Sequence, residues 1–242
     1  MIIWAGTSSK DVGMVVEHYP SVTIPQKKIE VQKVPGRNDD IVISTGAFDN
    51  YTQTYDAFLD VKYIGGLEGA MPKIVDWLLG HDGYYRLEDT YFPDVYRMAY
   101  YTGGAEFVSM FNEYGEGKLT FTCAPEKYLK SGEQPIEMTK GKKLINLTSF
   151  PASPVIWIKG DGLSSGTLQV NDKTFAISIV PDSIIVDVQR HKAYSIEPDG
   201  SEINRSNRIT GNYEDLILKK ETSITWTGGI TGVEIIPRWW TI

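Results

Sequence analysis

The chain has 242 residues, with 24 Lys and Arg against 31 Asp and Glu, a formal charge of −7, and one cysteine. This length builds one large all-β domain or two of roughly 100–130 residues, each able to bury its own core. A lone Cys123 excludes a disulfide framework and a cysteine-rich zinc site, and the acidic balance argues against nucleic acid as main partner, since phosphate binding runs on Lys and Arg.

In chain order, the first ten residues hold Ile2, Ile3 and Trp4 but no basic stretch and no extended apolar run. Synthesis and folding in a cytoplasm is therefore expected, and the Asn-x-Ser/Thr matches at Asn50, Asn146 and Asn204 carry no glycosylation meaning there. No run of 18 apolar residues occurs, so membrane insertion is not expected. Residues 28–34 and 41–44 are β-rich and flank a turn-rich tip at 35–40, which predicts a hairpin. Residues 71–80 predict the one helix. Pro72 falls in its first turn, Gly80 follows its last, and Ile74, Trp77 and Leu78 form an apolar stripe to lie on a sheet. In residues 119–123 strict alternation puts Leu119, Phe121 and Cys123 on a buried side, which makes Cys123 a small core residue and not a nucleophile.

The second half reads as short strands at 155–158, 167–170, 174–179, 184–188, 193–196, 223–226 and 233–237, separated by turns such as Asn171-Asp172. Strands this short, with no helices between them, predict an antiparallel sandwich or jelly roll. The polar, Pro-containing stretch around 140–154 is the natural boundary, within about 130–152, and a cut before Thr139 gives domains 1–138 and 139–242. The first carries 12 Lys and Arg with 20 Asp and Glu, a charge of −8; the second carries 12 and 11, a charge of +1.

No spacing in this sequence singles out a catalytic group: carboxylates are numerous enough for a glycosidase pair, but acid–base work needs two of them at a set distance across a cleft, which the sequence does not place. His18, His81 and His191 form no ligand spacing, and His81 suits the negative end of the helix dipole. Gly115-Glu116-Gly117-Lys118 lacks Gly at Asn112 and Ser or Thr at Leu119, so it is a turn and not a phosphate loop. Gly160-Asp161-Gly162 is followed by another strand, which leaves no helix N-terminus for a pyrophosphate. Neither a metal nor a cofactor is expected, and the protein is not expected to be an enzyme. The 28 aromatics (14 Tyr, 8 Phe, 6 Trp) suit β structure. Tyr84-Tyr85, Tyr91-Phe92, Tyr96 and Tyr100-Tyr101 are dense enough that either core packing or a second copy of the chain must cover some of them. Trp239-Trp240 poses the same question, with Arg238 placed to stack on either ring.

Several segments together resemble the distal tail protein (Dit) family of siphophages. In the first half the match is Val34-Pro35-Gly36-Arg37-Asn38-Asp39-Asp40-Ile41, departing at Asp39 where the family often carries Gly. In the second it is Pro154-Val155-Ile156-Trp157-Ile158-Lys159-Gly160-Asp161-Gly162, then residues 168–175, 184–187, 224–228 and 233–239 in the family's order. The resemblance implies a mainly β protein. Its N-terminal β-sandwich-type domain with one short helix forms a hexameric ring, and its C-terminal domain is a galectin-like sandwich outside that ring. It implies a virion protein at the tail tip, assembled in the host bacterial cytoplasm. The ring joins the tail tube to baseplate, fibre or receptor-binding proteins and passes DNA without binding it specifically. The hairpin tip at Val34, Pro35, Gly36, Arg37, Asn38 and Asp39 would then reach a neighbouring subunit. The alternative is a lectin-like module for host cell-wall saccharide, with Trp226, Asn204, Arg205 and Arg208 as docking residues; partner docking by the same domain is the preferred use.

Overall fold

The structure, a computed structural model, describes residues 1–60, 67–105, 107–110, 114–178 and 180–242. It divides into two compact units, Met1–Lys127 with Ile242, and Tyr128–Thr241. The division lies upstream of the Thr139 cut because Ile136 and Glu137 already pair with Ile235 and Glu234 of the second unit. At this division the first unit carries 11 Lys and Arg with 18 Asp and Glu, and the second carries 13 of each. The −7 of the chain thus belongs entirely to the first unit.

The first unit runs β1 (Ile2–Trp4), β2 (Thr7–Ser8), β3 (Met14–Val16), β4 (Lys27–Gln32), β5 (Ile41–Phe48), β6 (Tyr51–Asp60), helix α1 (Leu67–Leu79), β7 (Tyr85–Asp89), β8 (Val95–Tyr100), β9 (Phe107–Met110) and β10 (Tyr114–Leu129). Among the described residues the order β2-β1-β7-β8-β10-β6-β3 makes one sheet, with β9 also on β10, while β4 and β5 pair only with each other. The spine is the long antiparallel pairing of β6 with β10, from Tyr51↔Cys123 to Asp60↔Tyr114. Its inward positions alternate as period-two geometry requires: Tyr55 and Leu59 face the core from β6, and Leu119, Phe121 and Cys123 from β10.

Helix α1 covers that core with Ala70, Ile74, Trp77 and Leu78, the expected stripe and one residue more. Trp77 Nε1 donates to the Trp4 carbonyl at 3.3 Å. The helix begins four residues earlier than the sequence predicts, so Pro72 stands inside it and not in its first turn. Its ring has no N–H for the carbonyl four residues back, a cost that packing of the apolar face must offset. Gly80 is not the left-handed residue expected after the helix; a Cβ there would instead run into the Asp76 carbonyl oxygen.

The second unit contains β11 (Ile136–Glu137), β12 (Lys143–Ile145), β13 (Val155–Gly160), β14 (Gly166–Val170), β15 (Lys173–Ile177), β16 (Ser183–Asp187), β17 (Lys192–Ile196), β18 (Glu202–Asn204), β19 (Ile209–Thr210), β20 (Glu221–Gly228) and β21 (Ile230–Ile236). Two antiparallel sheets result, β11-β21-β13-β16-β17-β18 and β12-β20-β14-β15-β19. Ile156, Ile158, Ile184, Val186 and Ile235 from the first share one core with Leu168, Phe175, Ile177, Ile224 and Trp226 from the second. This is a two-layer β-sandwich. Every strand expected between 155 and 237 is present to within a few residues, except that Ile179 lies outside the described residues.

Trp239 is core, Trp240 stacks on Phe150 with centroids 4.5 Å apart, and Trp240 Nε1 donates to the Pro151 carbonyl at 2.8 Å. Arg238 does not stack on either tryptophan, as the sequence suggested; its guanidinium forks onto both Asp187 oxygens at 2.9 and 3.0 Å.

Candidate functional site

The hairpin β4–β5 is the most unusual surface of the first unit. A type II turn shapes its tip, with Pro35 before Gly36, Gly36 at φ +82°, and the Arg37 N–H donating to the Val34 carbonyl at 3.1 Å. Arg37 Nη2 meets Asp39 Oδ2 at 2.8 Å; both side chains are more than half exposed, so this pair contributes little stability. Val34 is half-buried and the other five predicted tip residues are exposed.

The shaft matters more than the tip, and sequence reasoning did not single it out. In the register Val31↔Val42 and Ile29↔Ser44, one face presents Ile29, Val31 and Val42; the opposite face presents Ile41 and Ile43. All five are exposed, Val31 by 51% and Val42 by 61%. Val22 and Ile24, just upstream, are more exposed still. A two-stranded ribbon with apolar side chains on both faces, whose edges pair with no other strand among the described residues, is marginal on its own in water. The signal was in the sequence, as an apolar alternation that would ordinarily mark a buried face.

The aromatic cluster at 84–101 splits between two faces of its sheet. Tyr101 points inward against Phe121, with centroids 5.2 Å apart. Tyr84 and Tyr100 meet edge to face at 5.1 Å on the outer side, where the Arg86 guanidinium lies 3.8 Å from the Tyr96 ring centre. Inside, Arg97 and Asp89 pair at 2.8 Å with Tyr51 and Tyr55 hydrogen-bonded to them. Burial raises the phenols of Tyr51 and Tyr55 well above the ordinary tyrosine range, so both stay neutral, Tyr55 donating to Asp89 and Tyr51 accepting from Arg97. Burial likewise pushes the Cys123 thiol up to about 12, outweighing the lowering effect of Arg97.

Two concavities complete the first unit. An open cleft of about 540 Å³ is lined by Glu17, His18, Asp56, Glu116, Lys118 and Thr120. Its Lys118 already pairs with Asp56 at 3.6 Å, and His18 lies 3.7 Å from Glu17. A smaller apolar groove of about 100 Å³ runs along α1 at Val75, Leu79 and Tyr101. Among the described residues no cluster of three or more His, Cys, Asp or Glu could hold a metal ion, and no helix is long and apolar enough to cross a membrane.

In the second unit the four docking residues named from the sequence do not converge. Trp226 is only 4% exposed and faces the shared core, so it cannot stack on a sugar. Alternation along β20 puts its outward positions at Ser223, Thr225 and Thr227. Asn204 and Arg205 belong to the edge of the other sheet, where Asn204 Oδ1 accepts the Ser206 N–H at 2.9 Å and Arg205 Nε donates to Ser195 Oγ at 3.2 Å. Arg208 precedes β19 and passes the chain on through its carbonyl, which accepts the Ser178 N–H at 2.9 Å. The exposed tryptophan of this unit is Trp157 on β13, which in the sequence stands out only as part of a strand motif.

The architecture has a full-length counterpart among solved structures. The Dit protein (gp 19.1) of phage SPP1, described as a paradigm of the hub adsorption apparatus in phages infecting Gram-positive bacteria, matches 100% of this chain and 98% of its own, with a TM-score of 0.76 at 14% identity. This chain has the Dit fold. Chains of the phage P2 baseplate in its activated conformation, with Ca and with Sr, match 92% of this chain and 89% and 90% of theirs, each with a TM-score of 0.51 at 11% identity. No family model matches the sequence, and neither does any curated protein. The mainly β, Dit-like architecture that the motifs implied is the one observed.

Proposed function

We propose that this protein is a distal tail hub, a structural virion protein at the tail tip. Six copies close into a ring through their first units, and the second units, as galectin-like sandwiches, face outward. The ring joins the tail tube to baseplate, fibre or receptor-binding proteins, and DNA passes through its lumen. Assembly precedes release and takes place in the host bacterial cytoplasm. No catalytic residue and no cofactor has a part in this role.

The observation that carries the reading is the β4–β5 hairpin, set in a fold that matches a phage hub along its whole length. Exposed valines and isoleucines on both faces of a ribbon that pairs with no other strand among the described residues call for cover, and a neighbouring copy offers the same cover at every position of a ring. The half-exposed aromatic side at Tyr84 and Tyr100 is a second surface of the same kind. Charge fits as well: the first unit holds all of the −7, and acidic groups facing the lumen would keep DNA from adhering in transit.

Sedimentation of the full chain tests this through two variants. Val31→Asp/Val42→Asp places charge on the apolar shaft and should leave monomers. Arg37→Glu at the tip should weaken association less. An assembly unaltered by the shaft variant would remove the hairpin from the interface.

A further inference from the structure

Strand β12 is one edge of the second unit's smaller sheet, with β20 on one side and no strand on the other among the described residues. Just past it, the Asn146 N–H donates to the Lys220 carbonyl at 3.0 Å. Antiparallel alternation therefore turns the N–H and C=O of Lys143 and Ile145 away from β20 and onto the open edge. Ser223, opposite Lys143, has the matching phase: its N–H donates to Asn171 Oδ1 and its carbonyl accepts the Asn171 N–H, each at 2.8 Å. Two apolar side chains stand uncovered here, Ile145 with 49% and Leu147 with 85% of its surface open. A built turn holds Leu147 out. In it, Asn146 Oδ1 accepts from the N–H and the hydroxyl of Thr148, and Asn146 Nδ2 donates to the Phe150 carbonyl.

The same end of the sheet is basic. Lys140, Lys142, Lys143, Lys219 and Lys220 are all exposed, and the one carboxylate within residues 140–147 and 219–223 is Glu221, which pairs with Lys143. Among the described residues Lys142, Lys219 and Lys220 form no ion pair. The rest of the unit then holds 8 cationic and 12 anionic side chains, so a unit without net charge is positive at this edge and negative elsewhere. We propose that the open edge of β12 is a docking site for an acidic, extended segment of a partner protein, which adds to the smaller sheet as a further strand.

Three physical arguments choose that occupant. First, a short edge guarded by lysines resists a second copy of itself, because lysine would face lysine; an acidic strand meets attraction instead. Second, Lys143 and Ile145 offer N–H and C=O groups in ladder spacing, which an extended backbone answers with acceptors and donors of its own. A phosphate polymer has no donors to give the carbonyls. Third, Ile145 and Leu147 supply apolar contacts for the alternate side chains of a strand, and neither has a use against a bare polyanion. The proposal goes beyond the ring and does not rest on it: it holds or fails on the full-length chain in any state of assembly.

Fluorescence anisotropy on the full-length chain tests it with a short labelled peptide of alternating Glu and Val. This peptide should bind with a Kd of about 100 μM at low salt, and the same peptide with Lys in place of Glu should not bind. Lys142→Glu/Lys219→Glu, two exposed substitutions that leave the ladder intact, should weaken the acidic peptide at least about tenfold and accept the Lys peptide instead. Ile145→Pro removes an N–H that β20 does not use and should weaken binding by about tenfold, with the thermal midpoint of the unit followed alongside. Should that variant unfold, the charge-swapped pair decides alone. No binding of the Glu-Val peptide up to about 2 mM overturns the proposal. Equal binding of an all-Glu peptide or of a short DNA duplex would make the edge a general polyanion site, which also overturns it. So does acidic-peptide binding that Lys142→Glu/Lys219→Glu leaves unchanged, or loss of copy-to-copy association in that variant when the parent binds no peptide.

Discussion

Arg97 and Asp89 form an ion pair of 2.8 Å in the core of the first unit, with side chains 3% and 0% exposed. The carboxylate is fully engaged: Tyr55 donates to Oδ2 at 2.9 Å, and the N–H groups of Tyr91 and Phe92 donate to Oδ1 at 3.0 and 2.7 Å. The guanidinium also donates from Nε to the Tyr51 hydroxyl at 3.1 Å. This network ties β7 and β8 to β6, across the strand that separates β8 from β6. Removing one partner strands a buried charge. Asp89→Ala should therefore destabilise the first unit by about 3–5 kcal/mol, whereas Asp89→Leu/Arg97→Met should lose less than either single change. Urea unfolding resolves this, with the transition of the second unit as internal reference.

Acid should act on the second unit through Asp187. Desolvation, the largest influence on this carboxyl, pushes its pKa up, but the Arg238 fork and the Arg190 N–H together hold it below the ordinary 3.8. A carboxyl depressed in the folded state adds stability above its unfolded value and gives it up as pH falls through the folded one. Stability of this unit should thus be flat near neutrality and decline below about pH 4. Asp187→Asn should flatten the acid limb; an acid limb as steep as that of the parent would contradict the assignment.

Cys123 should be inert in the native protein. With its thiol at about 12, the thiolate fraction at pH 8 is about one in ten thousand, and the side chain is fully buried. Iodoacetamide should modify it only after unfolding. Labelling at the rate of a free thiol in native buffer would show that the strand opens readily.

A backbone contact sets the cost at Gly160. A Cβ there would run into the Pro181 carbonyl oxygen and a Val180 methyl. Gly160→Ala should cost about 2 kcal/mol or more in thermal unfolding of the second unit. Gly36→Ala has open space around it and pays only for its left-handed backbone, about 1 kcal/mol.

Sequence legibility followed how local each signal was. The strands between 155 and 237 were readable because alternation and turn residues act over five or six positions, and the α1 stripe because helical spacing is equally local. The helix start was not, since Pro72 marks a first turn on local rules and only packing of Ala70 against the core carries the helix back past it. Trp226 and Trp157 show the same limit at a candidate site. Both are tryptophans in β-rich runs, and which one faces the core depends on register against strands far away in the chain. The buried Arg97–Asp89 pair was invisible for that reason too: nothing local marks Arg97 as an inward residue.

Closure of copies of this chain into a ring is open to native mass spectrometry of the full-length chain. One discrete closed oligomer of six copies is expected, reduced to monomer by Val31→Asp/Val42→Asp. A monomer that persists at high protein concentration, or an open-ended ladder of sizes, would contradict it.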